Sequence, residues 1–67
     1  MKNSIKVERA RNNITQAKLA ELTKVSRQTI NAIELGKYVP SALLALRLAK
    51  IFNTKVEDIF QLEEGEY

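Results

Sequence analysis

Arg27, Gln28, Thr29 and Asn31 crowd into five positions directly after a hydroxyl residue, Ser26, and are interleaved with apolar Ile30 and Ile33. Their chemistry is directional hydrogen bonding, not proton transfer. A guanidinium offers a planar fork of donors and a carboxamide sets a donor beside an acceptor, so both can grip a flat partner through two bonds at once. The chain has no histidine and no cysteine, which removes the usual general base, the thiol nucleophile and the commonest metal ligands. No glycine-rich phosphate loop is present either. Catalysis would have to rest on carboxylates gathered near the C-terminal end with no pocket to hold them, so an enzyme is set aside and neither cofactor nor metal is expected.

The elements that must position these residues can be read from punctuation and from apolar spacing of three and four. A first helix is expected over about Ser4 to Asn12, with Asn3 or Ser4 to cap it and Asn12-Asn13 to stop it. A second begins at Thr15, whose hydroxyl caps it, and buries Leu19, Ala20 and Thr23. After a break at Thr23-Lys24-Val25-Ser26, a third runs from about Arg27 to Leu35. It buries Ile30 and Ile33 and leaves Arg27, Gln28, Asn31 and Glu34 on other faces. Gly36 ends it through a positive φ. Pro40 blocks continuation, and Ser41 caps a fourth helix striped with Leu44, Ala45, Leu48, Ala49 and Phe52. Asn53 stops that helix; Thr54 and Glu57 have capping-box spacing for a fifth carrying Val56, Ile59 and Phe60. Residues 61–67 read as either a strand or a frayed acidic tail.

The expectation is thus an all-α domain of five short helices spanning residues 1–67, with an ordered core over about 5–60. Sixty-seven residues, 45% hydrophobic and 28% charged, suit one modest core without disulfides, steadied by packing or by dimerisation. No apolar run reaches the ~20 residues of a membrane span and no apolar leader follows Met1, so the chain reads as cytoplasmic. The net charge of +3 is unevenly spread. Residues 1–56 hold all eleven basic side chains against Glu8, Glu21 and Glu34, a net of +8, whereas residues 57–67 hold five acidic ones and no base. A basic body favours a polyanion; the acidic end would be repelled by one.

Two short helices joined by a tight break, the second opening with polar side chains, satisfy the geometry of a helix-turn-helix over about residues 16–35. In that setting Arg27 suits guanine O6 and N7, and Gln28 suits adenine N6 and N7, each pair discriminating by ~1–3 kcal/mol. By spacing alone, a solvated first turn fits these residues equally well.

The run Thr15-Gln16, Leu19-Ala20, Val25-Ser26-Arg27-Gln28-Thr29-Ile30, Ile33-Glu34, Gly36-Lys37-Tyr38 and Pro40-Ser41 resembles the Cro/C1-type helix-turn-helix regulators, also called the xenobiotic-response-element family. Leu44-Ala45, Leu48-Ala49 and Glu57-Asp58-Ile59-Phe60 continue the match, which covers about Ile5 to Phe60. The resemblance implies a lambda-repressor-like fold and a transcriptional regulator, a repressor, that binds double-stranded DNA as a homodimer. It implies that Arg27, Gln28 and Asn31 face bases, and that Gln16 touches the phosphate backbone and buttresses Gln28. Ser26 and Thr29 would lie close to phosphate or assist the helix cap, while Lys37 and Tyr38 would grip the backbone beyond the recognition helix. Lys37 as a plain loop charge and Tyr38 as a lid over the core remain open. An Arg9–Glu34 bridge would tie the first helix to the end of the third.

Three residues depart from the family pattern. Lys24 stands at the usual turn glycine and is expected to take φ > 0, while Glu8 and Thr23 replace apolar residues and imply a thinner core. Leu43 and Leu46 lie off the main stripe, and with Phe60 and Leu62 they are the candidates for a two-fold contact. Sixty-seven residues leave no room for a separate effector-sensing domain, so no effector is assigned. The alternative reading is an antitoxin-like or other protein-interaction module that presents its acidic tail to a basic partner.

Overall fold

The computed structural model describes residues 1–67. Its elements follow in the order β1 (Lys2–Asn3), α1 (Ile5–Asn12), α2 (Gln16–Thr23), α3 (Arg27–Glu34), α4 (Ala42–Ile51), α5 (Val56–Ile59) and β2 (Phe60–Gln61). The five expected helices form in an all-α body, and the two short strands pair antiparallel, Lys2 opposite Gln61 and Asn3 opposite Phe60.

Hydroxyl caps set three of the helix starts. Thr15, Ser26 and Ser41 accept from the backbone N–H groups of Lys18, Thr29 and Leu44 at 3.0, 3.0 and 3.2 Å, each satisfying a donor with no partner inside its helix. For α1 it is Asn3, not Ser4, that performs this service: its Oδ1 accepts from Ile5 N–H at 3.2 Å. Left-handed residues make the stops. Asn13 (φ 53°) ends α1, Lys24 (φ 62°) ends α2, Gly36 (φ 75°) follows α3 and Asn53 (φ 52°) follows α4. Asparagine and glycine tolerate this region, whereas a lysine there costs about 1 kcal/mol.

Every helix contributes to one core. Ile5 of α1, Leu19 of α2, Ile30 and Ile33 of α3, Leu48 of α4 and Ile59 of α5 are all fully enclosed. The expected stripe of α4 is buried at Leu44, Leu48, Ala49 and Phe52, with Ala45 half-buried at its margin. Thr23 sits in this core with its hydroxyl donating to the Leu19 carbonyl at 2.8 Å, so a polar side chain is enclosed without a stranded donor. Glu8 is not among the enclosed core residues, but its side chain is only 14% exposed and accepts from Arg11 Nη1 at 3.2 Å along α1.

Four expectations need correction. Order extends before Ile5, because β1 supplies the ladder partner that β2 requires. The Thr54–Glu57 capping box does not form: Lys55 is the cap residue, and Thr54 Oγ1 donates instead to Asp58 Oδ2 at 3.5 Å. Phe60 leaves α5 for extended backbone (φ −116°, ψ 131°), since pairing with Asn3 takes it out of the helix after a single turn. Phe60 is also only 7% exposed and belongs to the chain's own core, which removes it as a contact for a second copy.

The acidic end is neither a long strand nor a free tail. Beyond β2 it turns back, and the Met1 ammonium lies 2.9 Å from a carboxylate oxygen of both Glu63 and Glu66. The hydrogen bond from that ammonium holds Glu66 below the usual carboxylate range, and the same contacts with Glu66 and Glu63 raise the amine. Two of the three carboxylates beyond β2 are therefore engaged within the chain. No helix is long and apolar enough to cross a membrane.

Candidate nucleic-acid interface

Helices α2 and α3 are separated by only Lys24, Val25 and Ser26. The left-handed Lys24 reverses the chain, and Val25 N–H closes the turn on the Ala20 carbonyl at 3.1 Å. Arg47, from α4, donates from Nη1 to the Thr23 carbonyl at 3.3 Å and so caps the C-terminal end of α2 from outside. That contact reaches across 24 residues and leaves no trace in local spacing.

Burial of Ile30 and Ile33 fixes the rotation of α3 and turns Arg27, Gln28 and Asn31 outward, where all three are exposed. Ser26 and Thr29 are joined by a 2.9 Å hydroxyl contact while Ser26 caps the helix, so both hydroxyls take part in the cap.

Behind this face lies a polar network anchored on one ion pair. Arg9 Nε and Nη2 donate to the two carboxylate oxygens of Glu34 at 2.6 and 3.0 Å, and Arg9 Nη1 donates to the Ile14 carbonyl at 3.2 Å. The side chains of Arg9 and Glu34 are only 16% and 7% exposed. Hydrogen bonding to Glu34 raises the arginine above its ordinary value, outweighing the opposing effect of burial. Gln16 Nε2 donates to Glu34 Oε1 at 3.2 Å and to Asn31 Oδ1 at 3.1 Å, while Gln16 Oε1 accepts from Arg27 Nε at 3.5 Å. Gln16 therefore buttresses Asn31 and Arg27, and the expected buttress to Gln28 is replaced by these contacts. Both amide hydrogens of Gln16 are thus engaged within the chain. The unsatisfied N–H groups at the start of α2 remain beside a shallow groove lined by Arg9, Thr15, Gln16, Ala17 and Arg27.

Comparison with known proteins agrees with this arrangement: the Helix-turn-helix family model matches residues 5–59. The chain belongs to the Cro/C1-type helix-turn-helix family of DNA-binding transcriptional regulators. Similar full-length relatives are known from bacteria and archaea. An uncharacterized HTH-type transcriptional regulator of Bacillus subtilis, YgzD, is 56% identical over 64 residues, covering 96% of this chain and 97% of its own. A regulator so described from Methanocaldococcus jannaschii is 56% identical over 66 residues, covering 98% of this chain and all of its own. One from Archaeoglobus fulgidus is 48% identical over 66 residues, covering 98% and 93%.

Within this Cro/C1-type domain the other expected site residues are distributed around α3. Lys37 and Tyr38 follow it in an exposed loop, pinned where Lys37 N–H donates to the Ala32 carbonyl at 2.9 Å. Tyr38 is 49% exposed and is no lid over the core. Leu43 and Leu46 stand three residues apart on α4, 59% and 61% exposed, and Leu62 beyond β2 is 50% exposed. Asn3, expected only as a possible cap, also ties β1 to the C-terminal end of α3, where its Nδ2 donates to the Ile33 carbonyl at 2.8 Å. Only its capping type was legible, because the partner lies thirty residues away.

Proposed function

We propose that this chain is a sequence-specific regulator of transcription, a repressor, that lays α3 in the major groove of double-stranded DNA and acts as a homodimer. The single observation that carries the reading is the exposed N-terminal half of α3, where Arg27, Gln28 and Asn31 project together from a surface fixed by the core beneath. A major groove admits one α-helix, and residues near its N-terminal end reach base edges. Arg27 and Gln28 serve as readers, joined by Asn31 one turn on. Lys37 and Tyr38 act on the phosphate backbone, as do the free N–H groups at the start of α2, which suit an anion.

Dimerisation follows from reach. An eight-residue helix is about 12 Å long and reads only a few base pairs, whereas two-fold pairing sets a second one about 34 Å away on the same side of the duplex. Exposed Leu43, Leu46 and Leu62 support the proposal by offering apolar surface that the monomer leaves uncovered. A dimer seated on a promoter blocks it by occupancy, which is the physical basis for choosing repression.

Equilibrium binding to a random duplex pool tests the reading. Wild type should retain a defined subset of duplexes with a steep salt dependence, and the complex should contain two copies of the chain. No retention at low ionic strength would overturn the DNA-binding assignment, and a one-to-one complex on every selected site would overturn the dimer.

A further inference from the structure

The network behind α3 has a direction, and that direction bears on which base Asn31 accepts. It begins at Glu34, an acceptor-only carboxylate held by the two-bond grip of Arg9. Gln16 must then turn its NH2 group toward Glu34, because the opposite orientation would set an amide oxygen against a carboxylate at 3.2 Å. With that end fixed, the second hydrogen of the same NH2 group goes to Asn31 at 3.1 Å, so Asn31 must answer with Oδ1. Asn31 is thereby left with its oxygen turned inward and both Nδ2 hydrogens free on an exposed side chain. Arg27 receives its orientation by the same route, since Gln16 Oε1 takes its Nε hydrogen and leaves the Nη groups free.

We infer that Gln16 is a specificity-positioning residue: it transmits the polarity of the Arg9–Glu34 pair to Asn31, which then reads DNA as a hydrogen-bond donor and discriminates against cytosine. The inference rests on the proposed entry of α3 into the major groove. In that groove guanine presents O6 and N7 and thymine presents O4, all acceptors, whereas cytosine presents only its N4 donor. An outward NH2 group meets the first two favourably and opposes the third, N–H against N–H. An asparagine free to flip would tolerate cytosine by presenting its oxygen. Gln16 itself touches no base in this account.

The test is selection from a random duplex pool, followed by binding to the selected site with single base-pair changes, for wild type and three variants. Asn31→Ala identifies the base pair that Asn31 faces, as the position whose preference it erases. At that pair wild type should bind about five-fold or more weakly when guanine or thymine on the contacted strand becomes cytosine, the worth of about one net hydrogen bond. Gln16→Met should flatten this discrimination while melting within a few degrees of wild type. Asn31→Asp, which can still accept from Gln16 but now shows an oxygen outward, should prefer cytosine at the same position. Discrimination unchanged in Gln16→Met, cytosine favoured by wild type, or no position erased by Asn31→Ala would each overturn the inference while leaving the DNA-binding reading intact. Failure of wild type to retain any duplex would instead overturn that reading, and the inference with it.

Discussion

Replacing Arg9 with alanine isolates the ion pair on which the recognition surface is built. The substitution leaves Glu34, 7% exposed, with only the single 3.2 Å hydrogen bond from Gln16 in place of a charge-assisted pair. Stranding one partner of a fully buried pair costs about 3–5 kcal/mol; partial access of Arg9 to water and the surviving Gln16 bond reduce this to about 2–4 kcal/mol. A domain of 67 residues has only about 3–10 kcal/mol of stability in all, so the loss is a large share of the whole. At about 4–8 °C per kcal/mol for a domain this small, the melting temperature should fall by on the order of 15 °C. Thermal and urea unfolding followed by circular dichroism measure both quantities. The double change Arg9→Met with Glu34→Leu removes the stranded carboxylate and should recover at least half of the loss. DNA binding of Arg9→Ala, measured where it is still folded, should keep the wild-type base preference, because Glu34 still orients Gln16. A loss of less than about 1 kcal/mol, or an unchanged melting temperature with selectively lost binding, would refute this assignment of roles.

Further outcomes follow from individual residues. Lys24→Gly should stabilise the chain by about 0.5 kcal/mol, as relief of the left-handed backbone at φ 62° outweighs the extra freedom of glycine in the unfolded state; chemical denaturation reads it. Leu48→Ala removes a fully enclosed side chain from the centre of the core and should cost about 2–5 kcal/mol in the same assay. Gln28→Ala should relax base preference, whereas Lys37→Ala should weaken all duplexes alike and lower the salt slope by about one unit; fluorescence anisotropy across a salt series separates the two.

Much of this architecture could be read locally. The caps at Thr15, Ser26 and Ser41 act on the third residue after them, and the stops at Asn13 and Asn53 are properties of single residues, so short-range spacing carried them; the left-handed Lys24 was expected only because the family resemblance places a glycine there. The α4 stripe was legible for the same reason. What escaped involves partners far apart in sequence. Lys2–Asn3 is too short for any periodicity, and it becomes a strand only because Phe60 and Gln61 are brought beside it. That pairing shortens α5 and draws Phe60 into the core. In the candidate site the exposed face of α3 was predictable from the burial of Ile30 and Ile33. The hydrogen-bond route through Gln16 was not, since a carboxamide has several possible partners and only the placed Glu34 selects among them.

Guanine N7 lies in the major groove, so methylating it there tests the placement of α3 most directly. The measurement is methylation interference on a selected duplex, for wild type and Arg27→Ala. N7 methylation at one guanine in each half-site should abolish binding by wild type, and Arg27→Ala, though weaker, should be indifferent to it. Undiminished wild-type binding with every guanine N7 methylated would contradict that placement.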